Sequence, residues 1–331
     1  MPELTRRQLL MSLPAMALAS RGFAQAAPIR ARSLNHFGIA VSDPKRTVDF
    51  YQGLFGMPVA SRSGSLTLLR VGAGPQFMSI GPLAAGAAPR ITHYCLGVEG
   101  FNADRILAAL ADHGVAKGDA IGPMKATVAS IGGRLDLNFG DPDGLQCQLQ
   151  DVSYCGGTGS LGNVCTAPEP SPKPGLIALK DMSHLTIFSS DAARANKFYQ
   201  GVFGFSIRSY QGPTAPTLAI GPTVQFLMFT GGGAPSATPR PASINHACMN
   251  LDAFKPDDLI KSLESFGLKP RDAQGPAGPM RHYISMRMEN RGGAKEGTPE
   301  LYFTDPDGIL MQLQDTSYCG GSGVLGDACP K

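Results

Sequence analysis

The sequence predicts an α+β fold made of four βαβββ units, two in each half of the chain. A histidine, an apolar run of strand length, an aspartate and a short helix ending in Phe-Gly occupy residues 36–56, and the same series returns at 184–204. An Asp-Pro-Asp-Gly turn precedes a final apolar strand twice, at 141–144 and 305–308. The 41 glycines and 27 prolines among 331 residues favour turns and short strands over long helices. The chain is therefore predicted to be a duplication.

The first repeat, residues 34–153, contains the unit twice. Its first helix is predicted to begin after Asp43, because aspartate caps a helix N-terminus and Pro44 suits the first turn. Apolar periodicity and Gly- or Pro-containing turns delimit the other elements. In order, the elements are strand 34–41, helix 44–54, strands 66–71, 76–80 and 91–98, helix 102–113, and strands 126–131, 134–139 and 145–149.

The second repeat, residues 182–317, follows the same order. It is longer than the first repeat between Met280 and Tyr302. Its predicted elements are strand 183–189, helix 191–202, strands 225–230 and 244–251, helix 256–266 and strand 309–313.

Three segments lie outside the repeats. A glycine-rich loop at 154–165 and a glycine-rich tail at 318–331 each carry two cysteines at the same spacing, and a proline-rich linker occupies 166–181. The equal spacing predicts one disulfide within each segment, while the other pairings of the four cysteines, and free thiols, remain alternatives. The predicted disulfides are Cys155–Cys165 and Cys319–Cys329.

Residues 1–26 are predicted to be an export signal and not part of the fold. Arg6 and Arg7 form a twin-arginine pattern before an apolar segment that is too short to span a bilayer. Ala24-Gln25-Ala26 is a cleavage motif, and Ala17-Leu18-Ala19 is the alternative. We expect a periplasmic or extracellular protein, with a disordered basic tail as the alternative reading of this segment.

The charge and composition narrow the class of partner. The net charge is +3 at pH 7, and the chain contains no tryptophan. This balance argues against nucleic acid and against membrane binding once the signal is removed, so a small-molecule substrate is expected. The sequence leaves open whether the repeats pair within one chain or across a homodimer.

Each unit places a histidine at the head of its first strand, directly after a polar residue. If the two units of a repeat pair about a pseudo-twofold axis, their first strands are neighbours and both imidazoles face one cavity. Two imidazoles on one face are the beginning of a divalent-metal site, although a single strand histidine is more often a packing residue. The histidines are His36 and His93 in the first repeat, and His184 and His246 in the second.

With these motifs, each repeat resembles the vicinal oxygen chelate superfamily, which includes glyoxalase I, extradiol dioxygenases and bleomycin-resistance proteins. The resemblance covers residues 34–153 and 182–317 and implies a curved mixed sheet around a cup. The residues that carry it are His36, Asp43, Phe50-Tyr51, Phe55-Gly56, His93, Asp141 to Gly144 and Gln148, then His184, Asp191, Phe198-Tyr199, Phe203-Gly204, His246, Asp305 to Gly308 and Gln312.

The resemblance implies two histidines and a glutamate on the last strand as metal ligands. Here glutamine stands in the glutamate position of both repeats, which removes a negative charge from each site. We call the group His36, His93 and Gln148 the first cup, and the group His184, His246 and Gln312 the second cup. The implied ion is divalent, and Fe, Mn, Zn and Ni all remain open.

Two further residues are particular to the second repeat. Tyr302 stands where extradiol enzymes place a substrate-binding tyrosine, and Asn138 takes that place in the first repeat. His282 has no histidine counterpart in the first repeat and is a candidate general acid or base, or a surface histidine.

The expected function is an exported, metal-dependent enzyme, either dioxygenase-like or an isomerase or lyase. Its substrate would carry two neighbouring oxygens, and a metal-stabilised enolate would form during turnover. The alternatives are a binding protein that sequesters a small molecule without turnover and a scaffold in which the histidines only pack.

Overall fold

The protein is described by a computed structural model that covers residues 29–231, 241–272 and 276–330. The predicted export signal, residues 1–26, lies outside these ranges. No helix within them has the length and apolar character needed to cross a bilayer.

The first repeat contains nine strands and two helices. They are β1 (Ala31–Val41), α1 (Pro44–Phe55), β2 (Val59–Ser63), β3 (Leu66–Arg70), β4 (Phe77–Pro82), β5 (Arg90–Val98), α2 (Ala103–Asp112), β6 (Ala116–Lys117), β7 (Lys125–Ile131), β8 (Arg134–Gly140) and β9 (Gln146–Asp151).

The second repeat follows the same order, with one added 3₁₀ turn, Glu289–Arg291, after its seventh strand. Its elements are β10 (Asp181–Phe188), α3 (Ala192–Phe203), β11 (Ile207–Tyr210), β12 (Pro216–Ala219), β13 (Phe226–Thr230), β14 (Ser243–Leu251), α4 (Pro256–Ser265), β15 (Lys269–Pro270), β16 (Arg281–Arg287), β17 (Thr298–Thr304) and β18 (Leu310–Asp315).

The pairing of the strands confirms the predicted fold class. In the first repeat the strands lie in the order β2-β3-β4-β1-β5-β9-β8-β7-β6, with β1–β4 and β5–β9 parallel and β1–β5 antiparallel. The second repeat lies in the corresponding order, β11-β12-β13-β10-β14-β18-β17-β16-β15. One pair of residues, Ile91 and Ile244, joins the two halves through β5 and β14. Each half is thus two βαβββ units that meet at their first strands.

The recurring Asp and Phe-Gly motifs are the two ends of a helix. The side chain of Asp43 accepts a hydrogen bond from the backbone N–H of Arg46 and caps α1, and Asp191 caps α3 through Arg194 in the same way. Gly56 ends α1 at φ 65°, a left-handed conformation in which a Cβ would also lie 2.3 Å from the carbonyl oxygen of Pro174. The motifs therefore fix helix length.

The two repeats pair within one chain, which answers the question that the sequence left open. Helix α1 of the first repeat places Phe50 and Phe55 against Phe303 of the second repeat, with ring centroids 6.4 and 5.6 Å apart. Helix α3 of the second repeat returns the contact: Phe198 and Phe203 lie 6.1 and 6.2 Å from Phe139 of the first repeat. These aromatic residues, which recur at the same spacing in both repeats, thus pack the two repeats together.

The Asp-Pro-Asp-Gly turns bind the opposite repeat. Asp143 accepts hydrogen bonds from the hydroxyls of Ser189 and Ser190, from the Ser190 N–H at 3.1 Å and from Arg194 at 2.7 Å. Burial alone would raise the pKa of Asp143, but these donors lower it below its usual value.

The second turn repeats this arrangement in the opposite direction. Asp307 accepts from the N–H and hydroxyl of Ser42 and from Arg46 at 2.8 Å. Each of the two aspartates therefore acts as a clamp between the repeats.

The predicted disulfides are confirmed. Cys155 is bonded to Cys165, and Cys319 to Cys329, with Cα atoms 6.4 Å apart in both pairs. Each loop lies beside the aromatic residue that follows the last strand, since a Cβ on Gly162 or Gly326 would touch the ring of Tyr154 or Tyr318. The disulfide loops thus cover the same end of each cup.

We expect Asp143→Ala to lower the free energy of unfolding by about 1–3 kcal/mol, because Ser189, Ser190 and Arg194 lose a shared acceptor and the Ser189 hydroxyl is left buried without one. Urea denaturation measures the change. Asp49→Ala is the matched control: its pair with Lys45 is solvent-exposed, so its loss is expected to leave the free energy of unfolding nearly unchanged. Equal effects of the two substitutions would contradict the clamp.

Candidate metal centre

The antiparallel pairing of first strands brings the histidines of each cup together. In the second cup the ring centroids of His184 and His246 lie 5.6 Å apart, and in the first cup those of His36 and His93 lie 5.4 Å apart. The two rings of each pair meet nearly at right angles. Neighbouring strands of different units therefore point both imidazoles into one space, as the sequence predicts.

The polar residue before each histidine holds one nitrogen of its ring. In the second cup Nδ1 of His246 is 2.7 Å from Oδ1 of Asn245, and Nδ1 of His184 is 3.0 Å from the hydroxyl of Ser183. Because the asparagine oxygen only accepts, His246 carries its proton on Nδ1 and keeps a lone pair on Nε2. In the first cup Asn35 and Thr92 occupy the same place beside His36 and His93. Such a partner orients the imidazoles of metal sites.

Aromatic neighbours fix the ring of the first-strand histidine. His184 stacks on Phe226 with centroids 4.3 Å apart, and Tyr318 lies on it at 5.5 Å. Burial lowers the pKa of His184 well below its usual value, and the neighbouring His246 lowers it further. Burial also lowers the pKa of His246 to about 4. Both rings are therefore neutral at pH 7, which is the form that binds a metal.

The glutamine lies next to a histidine in each cup. In the second cup Oε1 of Gln312 lies 3.2 Å from Nε2 of His184. In the first cup Gln148 donates its amide to Asp136 and thereby directs its oxygen towards His36. The predicted triads are thus brought together in both repeats.

The two cups differ in what their polar atoms bind. In the first cup Gln148 and Gln150 both donate to Asp136, and Gln146 donates to Asn138. The amide nitrogens of these glutamines are therefore already paired with protein atoms. In the second cup Nε2 of His246 and Nε2 of Gln312 are buried and have no hydrogen-bond partner within the described ranges.

His246 and Gln312 both line a cavity of about 290 Å³. Leaving buried polar atoms unpaired costs free energy, so such atoms point to a bound group. The cavity is lined by His184, Thr186, Phe188, Gln211, Ala215, Met228, Thr230, Asn245, His246, Arg291, Glu300, Tyr302 and Gln312.

The residues of the second cup fit a divalent ion. They supply two neutral imidazole nitrogens and one amide oxygen, with the outer nitrogen of each ring already held. No cluster of three His, Cys, Asp or Glu side chains with metal-binding spacing occurs in the described part of the chain, because the third member of each triad is glutamine.

Tyr302 and His282 lie on opposite faces of the sheet. Tyr302 lines the cavity with its ring edge-on to His246 at 5.3 Å, and burial raises the pKa of its hydroxyl. His282 pairs with Phe303, so its side chain faces α4 and lies 3.3 Å from Glu264. The structure therefore does not bring His282 to the second cup, because strand alternation turns it away.

A carboxylate in each cup, buried in the second and half-buried in the first, escaped the sequence analysis. Glu300 lies two residues before Tyr302 on β17, and Asp136 lies two residues before Asn138 on β8. Glu300 is 2 % exposed and lines the second cavity. The signal was available, since period-two alternation places each carboxylate on the same face as the residue that was singled out.

Comparison with known proteins agrees with this geometry. The model of the Glyoxalase/Bleomycin resistance protein/Dioxygenase superfamily matches residues 33–149 and 181–313. The chain belongs to this superfamily. No curated protein matches the sequence closely enough to be informative.

Solved structures with the same fold span nearly the whole chain. A catechol 2,3-dioxygenase is 16% identical with a TM-score of 0.58, covering 89% of this chain and 88% of its own. The 2,3-dioxygenase LapB from Pseudomonas sp. KL28 is 14% identical with a TM-score of 0.57, covering 91% and 95%. A Mn(II)-bound glyoxalase from Novosphingobium aromaticivorans is 15% identical with a TM-score of 0.56, covering 86% and 82%. At these identities the likeness shows the fold.

We expect Gln312→Glu to tighten Mn²⁺ binding at least about tenfold, because it adds a negative charge beside two neutral imidazoles. Titration calorimetry measures the affinity. Gln148→Glu is the matched variant: it would place a buried carboxylate against the half-buried carboxylate of Asp136, so we expect no comparable gain and a lower melting temperature. Tighter binding in Gln148→Glu alone would contradict this account of the two cups.

Proposed function

We propose that this protein is a metal-dependent enzyme whose second cup works on a small substrate with two neighbouring oxygens. The observation that carries the proposal is the pair of buried, unpartnered nitrogens of His246 and Gln312 at the cavity. The family membership and the fold shared with dioxygenases and a Mn(II)-bound glyoxalase support it.

His184, His246 and Gln312 are the residues that would hold the ion. A divalent ion bound there supplies Lewis-acid polarisation of the substrate oxygens. The side chains of the cavity do the remaining work. The free Nε2 of Gln312 donates a hydrogen bond to a bound oxygen, and the hydroxyl of Tyr302 faces the same space. Phe188 and Met228 add apolar surface to the cavity wall, which favours a ligand with a carbon skeleton beside its oxygens.

Two reaction classes share this substrate geometry. Ring-cleaving dioxygenases open a catechol with O₂, whereas glyoxalase-type enzymes rearrange a carbonyl compound without an oxidant. Substrates of both reaction classes carry neighbouring oxygens, so the two classes have to be distinguished by measuring turnover. The neutral amide in both cups favours a second candidate function, a protein that binds such a compound without turning it over.

We expect purified protein to bind about one divalent ion per chain, and His184→Ala/His246→Ala to lose it, because one amide oxygen alone holds a metal weakly. Elemental analysis after dialysis measures the ratio. His113→Ala is the control, since His113 lies at the end of α2, outside both cups. A double variant that retains the ion would contradict the proposed site.

Turnover is measured on the same preparations. Oxygen uptake with catechols supports the dioxygenase class, and isomerisation of a hemithioacetal supports the lyase class. Tight binding of these compounds with neither reaction supports the binding protein instead.

We further propose that the protein is exported to the periplasm through its N-terminal twin-arginine segment. The two disulfides support this proposal, because such bonds persist in oxidising compartments.

We expect Arg6→Lys/Arg7→Lys to leave the protein in the cytoplasm when it is expressed in a bacterium with a twin-arginine translocase. Cell fractionation and immunoblotting measure the distribution. Arg30→Lys/Arg32→Lys, just after the predicted signal, is the control, and equal retention of both variants would contradict the proposal.

A further inference from the structure

The second cup contains a buried carboxylate whose bonding is complete. Glu300 accepts a hydrogen bond from Nε of Arg287 at 2.8 Å and from the hydroxyl of Tyr318 at 3.0 Å, both on Oε1. Arg287 is fully buried and also donates to the carbonyl oxygens of Gly292 and Gly321, at 2.7 and 2.9 Å. A buried ion pair with this many partners is fixed in position.

The other carboxylate oxygen controls the direction of a hydroxyl. Tyr302 donates to Oε2 of Glu300 at 3.1 Å. A carboxylate only accepts hydrogen bonds, so the phenolic proton points towards Glu300 and the oxygen presents its lone pairs elsewhere. The ring itself is held by Tyr283, which stacks on it with centroids 5.1 Å apart, and by His246, whose ring lies perpendicular to it. Tyr302 therefore offers the cavity an acceptor and not a donor.

The cavity thus has a defined hydrogen-bond pattern. Nε2 of Gln312 is an unpartnered donor, and the oxygen of Tyr302 is an acceptor; their two residues are direct neighbours across β17 and β18. A ligand that satisfies both presents a protonated hydroxyl to Tyr302 and an oxygen without a proton to Gln312. A ligand with two carbonyl oxygens leaves the acceptor of Tyr302 unpaired.

We propose that Glu300 is a positioning residue that sets specificity by holding Tyr302 as a hydrogen-bond acceptor, so that the second cup selects a hydroxyl next to a second oxygen over a dicarbonyl. The proposal rests on the proposed function of the second cup. Glu300 acts through Tyr302 and through its own anchoring by Arg287.

The first repeat has a carboxylate at the matching place but no tyrosine hydroxyl for it to orient. Asp136 accepts from the amides of Gln148 and Gln150, and Asn138 stands where the second repeat has the tyrosine. Asp136 also accepts from the amide of Asn138 at 3.3 Å, so its three donors are amides and none is a hydroxyl. The selection is therefore expected in the second cup alone.

Two ligands of the same carbon skeleton test the inference, 3-hydroxybutan-2-one and butane-2,3-dione. We expect the wild-type protein to bind the hydroxyketone about tenfold more tightly, the value of one hydrogen bond. In Glu300→Gln, Arg287 and Tyr318 hold the amide oxygen, so the amide nitrogen donates to Tyr302 and turns its hydroxyl into the cavity. The preference is then expected to reverse in favour of the dione. Titration calorimetry measures both affinities.

Two variants complete the series. Tyr302→Phe removes the acceptor without touching the Arg287 ion pair, so it is expected to bind both ligands equally even if Glu300→Gln folds poorly. Tyr210→Phe removes the hydroxyl of an exposed tyrosine on β11, outside the cavity, and is expected to keep the wild-type ratio. An unchanged ratio in Glu300→Gln or in Tyr302→Phe would overturn the inference and leave the proposed function standing. Wild-type protein that binds neither ligand would contradict the proposed function itself.

Discussion

The antiparallel pairing of the first strands of two units is the interaction on which the rest of the molecule depends. Strands β1 and β5, and likewise β10 and β14, lie side by side, and in each pair the two histidines are diagonal neighbours on one face: His36 is opposite Cys95, and His184 is opposite Cys248. Each parallel pair, such as β14 with β18, then adds the glutamine from the next strand. Three side chains from three strands converge because the sheet order is symmetric, and no long loop is needed to position them. Two kinds of contact hold the two symmetric halves together. One is the pair of clamps formed by Asp143 and Asp307, and the other is the packing of phenylalanines of each repeat against one phenylalanine of the other.

The two cups show how one scaffold can hold the same triad in two electrostatic states. In the first cup the carboxylate of Asp136 binds the glutamines directly, and the amide groups are paired with protein atoms. In the second cup the carboxylate of Glu300 is matched by Arg287, and Gln312 keeps a free amide nitrogen. The buried charge of Glu300 needs a charged partner, whereas the half-buried Asp136 is satisfied by amide donors. The choice of partner decides whether the polar atoms of the cup face each other or face a ligand.

Much of the fold could be predicted from the sequence because its signals are local. The cap of Asp43, the left-handed Gly56 and the period-two alternation of the last strands each act within a few residues. The triads could also be predicted, because the repeated histidines and the resemblance fixed their positions. What failed depended on register. His282 lies on the strand that faces Tyr302, but a shift of one residue along a strand turns the side chain to the opposite face of the sheet. The 3₁₀ turn at Glu289–Arg291 was also not predicted, because it lies in a segment that the first repeat lacks. Glu300 could have been found from its place two residues before Tyr302, on the same face of β17, whereas its pairing with Arg287 on the neighbouring strand exists only in the folded protein.

The central claim is that His184, His246 and Gln312 together hold one ion. Anomalous diffraction from crystals of the protein soaked in Mn²⁺ tests it most directly, since the anomalous signal locates the metal without reference to activity. We expect one strong peak in the second cup, with Nε2 of both histidines and Oε1 of the glutamine within bonding distance. A strong peak bound by other residues, or a second cup without any peak at saturating Mn²⁺, would contradict it.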